Sequence, residues 1–249
     1  MICSLFFCHT TMKDKLIQYL QQFVTERRLK LFDTRLENRT RYLTVVLEDI
    51  FQPHNASAVL RSCECFGIQD VHIIENRNAY RINPDVALGS YKWLTLKRYN
   101  LPGDNTTKAL VSLKQEGYRI VAAMPHKRDC RLEDFDLSKG KTALVFGSEL
   151  EGLSPTAIDL ADEFIQVPMV GFTESLNISV SAAICIHYLT AGLRKSSLSW
   201  GLCEEEKRDL KLTWLKNTIK KSDQIAQAFL DDPKINKDSR FSNSDPSAL

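Results

Sequence analysis

The chain has 249 residues, enough for one substantial domain with appendages, or two small domains, and for a buried core. Hydrophobic residues make up 43% and charged residues 26%, an ordinary balance for a soluble protein, and no apolar run approaches the roughly 18 residues that would span a bilayer. The formal net charge is +2, and the seven cysteines are an odd, scattered set with no C-x-x-C pair; this argues against a disulfide framework or a zinc site and fits a reducing cytoplasm.

In chain order, residues 1–11 (MICSLFFCHTT) are apolar but lack a basic leading segment and a small-residue cleavage site, so they do not read as a signal peptide. Met12, followed by Lys-Asp-Lys, reads as a more natural start. Residues 13–36 read as one helix, with Leu16, Leu20, Phe23 and Val24 on one face and Arg27, Arg28 and Lys30 near its end. From residue 41 to 195 strands and helices alternate, which predicts an α/β fold with a mostly parallel sheet covered by helices on both faces. The predicted strands are residues 43–47, 71–75, 93–96, 119–123, 143–146 and 164–167. The predicted helices are residues 56–66, 107–116, 155–161 and 178–195. In the last of these, Val180, Ile184, His187, Tyr188 and Ala191 share a face, on which His187 and Tyr188 read as core or rim residues and not as ligands. Residues 204–230 read as a further helix, and 231–249 carry no hydrophobic pattern and read as a disordered tail. The organisation is therefore a helical extension over 1–40, a core domain over 41–195, a second helical extension over 196–230 and a tail.

Charge is distributed unevenly. Residues 1–41 carry eight Lys and Arg against four Asp and Glu, residues 42–193 carry fourteen against eighteen, and residues 194–240 carry eleven against eight. Two basic ends flanking an acidic middle suit a polyphosphate partner, because cations that displace condensed counterions gain entropy from their release; solvated terminal helices are also commonly basic. The five histidines and seven cysteines show no metal-ligand spacing, and no metal is expected.

Three segments carry candidate chemistry, and each lies where a predicted strand gives way to a helix. The first, residues 53–61 (PHNASAVLR), presents Asn55, Ala58 and Arg61 in an N-x-x-A-x-x-R pattern. The second, residues 143–154 (ALVFGSELEGLS), ends a buried-looking strand in Gly147, Ser148 and Glu149. In the third, residues 164–184 (FIQVPMVGFTESLNISVSAAI), a strand runs through a bend into a helix. There Pro168 stiffens the exit, Gly171 supplies backbone freedom, and Ser175 and Asn177 stand where a cap is wanted. Asn55 reads as the N-cap of the first helix, and Glu149 either pairs with Arg61 or caps the helix at Pro155. There is no G-x-G-x-x-G or Walker string, so a conventional nucleotide-binding loop is not indicated.

Together, and in this order, the segments resemble the three signature motifs of the SpoU/TrmH branch of the SPOUT RNA methyltransferases, over roughly residues 41–193. The resemblance implies a C-terminal trefoil knot, a homodimer with the donor pocket against the partner subunit, and S-adenosylmethionine-dependent methylation of a ribose 2′-hydroxyl in RNA. It places donor contacts at Ala123, Gly147, Val167, Met169 and Leu176. It gives Arg61 a catalytic role, with Asn55, Glu149, Ser175 and Asn177 around it. Guanidinium stays protonated, so a phosphate clamp that steers the hydroxyl is the alternative to a base at Arg61. Only about forty residues precede the first strand, where ribosomal-RNA members usually carry a separate domain; tRNA, at guanosine 18 of the D-loop, is the expected substrate. A ribosomal-RNA enzyme and a non-catalytic RNA-binding protein on this fold are the alternatives.

Overall fold

A computed structural model of the protein describes residues 11–124 and 130–232. The described backbone divides into two compact units, one within residues 38–202 and the other made of the ends, 11–37 with 203–232. Residues 1–10 and the tail from 233 onward lie outside the described residues, so the readings of an alternative start and a disordered tail fall there.

In the terminal unit, α1 (Met12–Gln21) and α2 (Glu26–Leu36) meet α8 (Glu204–Thr218) and α9 (Ser222–Leu230). The single helix read over 13–36 is two helices, because Thr25 acts as a new N-cap and accepts a hydrogen bond from the Arg28 backbone N–H. The helix read over 204–230 is likewise broken at Lys221, whose φ of +58° is left-handed. Apolar positions at helical spacing converge: Phe32 meets Trp214 edge-on at 5.6 Å, and Tyr19 stacks on Phe229 at 4.7 Å.

The larger unit carries a seven-stranded, all-parallel sheet in the order β3-β2-β1-β6-β4-β7-β5. The strands are β1 (Leu43–Glu48), β2 (Asp70–Ile74), β3 (Thr95–Tyr99), β4 (Arg119–Ala123), β5 (Cys130–Arg131), β6 (Thr142–Phe146) and β7 (Glu163–Gln166). The helices are α3 (Pro53–Phe66), α4 (Pro84–Ala87), α5 (Asn105–Gln115), α6 (Pro155–Leu160) and α7 (Ile178–Lys195). The strand read from Trp93 begins two residues later, because residues 90–93 close a 3-10 turn. The two-residue β5 is too short to leave a hydrophobic pattern, and the sequence did not reveal it.

Side chains alternate through the sheet into two cores. Val45, Val71, Leu144 and Val121 line up in register and face α3 and α7; Val46, Val145 and Ala122 face the opposite side with α5 and α6. Each of the fully buried Val and Leu side chains among them contributes about 1.5–3 kcal/mol, and burial on both faces is why the strands read as continuous apolar runs. The helix α3 starts at Pro53, whose missing N–H costs nothing in the first turn, and ends at Gly67. There φ is +81° and a Cβ would lie 2.3 Å from the Asn38 carbonyl oxygen. In α7 the stripe Val180, Ile184, Tyr188 faces outward at 45%, 37% and 43% exposure, which puts Tyr188 at the rim. The core face is Ala182, Cys185, Ile186, Leu189 and Leu193. Both stripes are apolar at helical spacing, so period alone does not say which one turns inward.

His72 on β2 is 1% exposed, and its Nδ1 lies 3.0 Å from the Tyr99 hydroxyl. Burial pushes its pKa down from 6.5 to about 4, with Lys97 adding to the effect. The fold therefore holds the neutral ring while the unfolded chain takes a proton below about pH 6.5. The stability due to the neutral ring is present above that pH and is lost as pH falls toward 4, by at most about 3 kcal/mol. Urea denaturation at about pH 7.5 and about pH 5 should show a larger loss in the wild type than in His72→Gln; equal losses would remove His72 as the cause.

Candidate active site

The three motif segments meet at the carboxyl ends of β1, β6 and β7, where loops leave a parallel sheet and ligands of such folds commonly bind. Asn55 joins them. It is 3% exposed; its Nδ2 donates to Glu149 Oε1 at 2.7 Å and to Gln52 Oε1 at 3.2 Å, and its Oδ1 accepts from Asn177 Nδ2 at 3.2 Å. Asn55 is therefore not an N-cap: the helix begins two residues earlier, with Gln52 at the cap position, and Asn55 sits inside the first turn with its side chain turned toward the other two motifs.

Glu149 does not pair with Arg61 and does not cap α6, which Ser154 caps. Its carboxylate accepts from the backbone N–H groups of Phe51 and Gln52, at 3.0 and 3.3 Å, and from Asn55. It thus supplies the acceptor for the start of α3 that Gln52 does not. Asn177 is the N-cap of α7, accepting from Ser179 N and Oγ at 2.9 and 2.6 Å while donating to Asn55. Ser175, two residues before that cap, makes no side-chain hydrogen bond among the described residues and lines the adjoining cavity. Arg61, two turns along α3 from the cluster, is exposed and has no ion-pair or hydrogen-bond partner among the described residues.

Beside this frame lies an open cavity of about 600 Å³, lined among others by Ala123, Gly147, Glu149, Ser175, Leu176 and Asn177. A smaller recess of about 70 Å³ continues it, bounded by Ala123, Val167, Met169 and Leu176. All five residues assigned to the donor therefore border one connected region. Within it, residues 168–176 make no backbone hydrogen bond among the described residues, which leaves a run of N–H and C=O groups available to a ligand. The volume is within the range of pockets that enclose nucleoside-sized molecules, and apolar walls with free backbone groups suit an adenosine. Gly147 has a further reason to be glycine. A Cβ there would meet the Gly152 carbonyl carbon and oxygen at 2.2 Å, because the loop Ser148–Gly152 folds back in a pair of backbone hydrogen bonds of 2.9 and 3.0 Å.

The Asn55 bridge generates a direct test. Asn55→Asp replaces the donor to Glu149 with a second carboxylate, which repels it and leaves the acceptor unsatisfied. The loss should be about 1–3 kcal/mol at neutral pH and should shrink as acid protonates the pair. Thermal unfolding at about pH 7.5 and about pH 5 measures both effects; a midpoint equal to wild type at both would show that the bridge carries no stability.

Residues 42–187 match the SpoU rRNA Methylase family. A tRNA (guanosine(18)-2′-O)-methyltransferase of Borreliella burgdorferi is 43% identical over 206 residues, covering 83% of this chain and 92% of that protein. One of the same description from Aquifex aeolicus is 34% identical, covering 68% and 78%. The crystal structure of an A. aeolicus TrmH/SpoU tRNA modifying enzyme superposes with a TM-score of 0.69 at 31% identity, covering 78% of this chain and 98% of the other. A SpoU methyltransferase of Streptomyces viridochromogenes, in complex with the cofactor AdoMet, shares the fold at a TM-score of 0.55 and 24% identity, covering 66% and 62%. With the match extending over more than half its length and holding all three motifs, the chain belongs to the SpoU rRNA methylase family.

Proposed function

We propose that the protein methylates the ribose 2′-hydroxyl of guanosine 18 in the tRNA D-loop, with S-adenosylmethionine as donor. The observation that carries this reading is the Asn55 bridge, which ties the three family motifs around one nucleoside-sized cavity. The tRNA relative matches over nearly its whole length and supports the substrate. The donor supplies an electrophilic methyl on a sulfonium. Ala123, Gly147, Val167, Met169 and Leu176 enclose it, and the unpaired backbone of residues 168–176 reads its polar edges. Asn55, Glu149 and Asn177 fix the frame, and the Ser175 hydroxyl, facing the cavity, bonds the substrate ribose or phosphate.

Arg61 acts on the RNA side. Its five N–H donors are unclaimed among the described residues and form the fork that grips a phosphate bidentately. The terminal unit supplies RNA affinity. On α2, Arg27, Arg28, Lys30 and Arg35 are exposed and have no acidic partner among the described residues, whereas Asp33 and Glu37 are occupied by Lys211 and Lys207. The chain acts as a homodimer through the outward apolar stripe Val180, Ile184 and Tyr188 of α7, adopts the family's trefoil knot, and works in the cytoplasm; no helix among the described residues is long and apolar enough to cross a membrane.

Arg61→Ala should abolish most single-turnover methylation of a tRNA transcript and leave donor affinity by calorimetry unchanged, and Arg61→Lys should rescue poorly because an ammonium lacks the planar fork. Replacing Arg27, Arg28 and Arg35 by Glu should instead weaken tRNA binding and flatten its salt dependence with the rate at saturating RNA preserved. A loss of donor affinity in Arg61→Ala proportional to its loss of rate would move that residue into the donor pocket, and methylation of ribosomal RNA in place of tRNA would overturn the substrate. Light scattering should report twice the 28.4 kDa chain mass. An active species of single-chain mass would refute the dimer.

A further inference from the structure

A second cavity, of about 380 Å³, opens on the other side of the loop Ser148–Gly152. Ser148, Glu151, Gly152 and Leu153 line both cavities, so a single turn of backbone separates the two, and the Glu149 carboxylate holds the N–H of Phe51, whose side chain lines the second. Its lining is unlike that of the donor region. Glu48, Asp49, Asp104 and Glu151 stand against one cation, Arg77, and Arg77 is already ion-paired with Glu151. An acidic cavity repels phosphate and favours a neutral group rich in N–H donors.

The cavity is firmly built. The buried Glu48 carboxylate accepts from Thr106 Oγ1, Ser154 Oγ and Ser154 N at 2.5, 2.7 and 2.9 Å. Asp49 is held at φ +51°, a strained conformation for a non-glycine residue, and its Oδ1 gathers the backbone N–H groups of Asn76 and Arg77 at 2.7 and 2.8 Å. The groups left for a ligand are at the rim. Phe51 is 60% exposed, and Asp104, which caps α5, accepts from Thr107 N on one oxygen and Thr107 Oγ1 on the other, with the Thr106 N–H also acting on it; a carboxylate has about four acceptor sites, so capacity remains for a ligand.

We propose that this cavity receives the base of the target nucleotide, with a guanine stacked on Phe51 and donating its N1–H and 2-amino group to the Asp104 carboxylate. Among the common bases guanine presents two adjacent donors on one edge, matching the two oxygens of a carboxylate, and aromatic stacking of an unstacked base is the usual mode of single-stranded RNA recognition. The assignment rests on the reading of the protein as a guanosine methyltransferase and adds the site that selects the base. With the base seated there, the ribose lies over the Ser148–Gly152 turn, toward the donor cavity.

The test uses tRNA transcripts with guanosine, inosine or 2-aminopurine at the target position. Inosine lacks the 2-amino group, and wild type should lose about tenfold in kcat/KM on it, the worth of a hydrogen bond to a charged acceptor. Asp104→Asn retains a good helix cap and so the fold, but loses the anionic acceptor; it should be slower on guanosine and nearly indifferent to inosine, with donor affinity by calorimetry unchanged. Equal rates of the wild type on guanosine and inosine, or a loss of donor affinity in Asp104→Asn, would overturn the assignment. The 2-aminopurine transcript reports stacking without any methylation: its fluorescence should change on binding wild type and not Phe51→Leu. A fluorescence change confined to wild type, without methyl transfer, would retain the base pocket and discard the proposed reaction; a response identical in both proteins would discard the pocket.

Discussion

The arrangement of the site depends on one amide. Asn55 presents a donor to Glu149 and an acceptor to Asn177, so a single side chain satisfies groups from two loops that are remote in sequence. A carboxylate there would repel Glu149, and an aliphatic residue would leave Glu149 and Asn177 each short of a partner in a spot that is 3% exposed in its middle. The amide supplies both polarities from one planar group. Because Glu149 also binds the first N–H groups ahead of α3, the same network fixes the start of the helix that carries Arg61.

The network works because the sheet beneath it is rigid. Four of its strands, β1, β2, β4 and β6, give buried side chains to the cores on both faces, and interiors at such density do not deform gradually. The loops at the carboxyl ends thus start from fixed points, and Gly147 lets the Ser148–Gly152 turn lie directly against its own strand exit. The bend at residues 168–176 differs in kind: it makes no backbone hydrogen bond among the described residues, and Val170 and Phe172 stand fully exposed. A segment left so incompletely satisfied beside a saturated frame has its remaining bonding capacity directed outward, toward ligands or a second chain.

The electrostatics divide the molecule in the same sense. Carboxylates near the sheet ends are engaged: Glu48 by Thr106 and Ser154, Asp49 by three consecutive backbone N–H groups, Glu149 by the start of α3. Arg61, exposed on α3, has no partner among the described residues, and within the terminal unit the exposed cations of α2 have none either. Fixed acceptors inside and uncommitted cations outside suit a polyanionic ligand that is gripped by its backbone and read by its uncharged edge.

The sequence by itself determined the α/β alternation and the positions of six strands to within about three residues, because apolar runs on doubly buried strands and glycine or proline at their exits are local signals; the three motifs were legible through their resemblance to a family. It misread what depends on partners. Asn55 was legible as a polar residue at a helix start, and its true bonds, to positions 94 and 122 residues away, were not. The breaks at Thr25 and Lys221 and the strand Cys130–Arg131 were likewise decided by tertiary packing. Periodicity reports that a helix has apolar faces; which face is buried, and which polar group answers which, is settled only when strands distant in the chain are brought side by side.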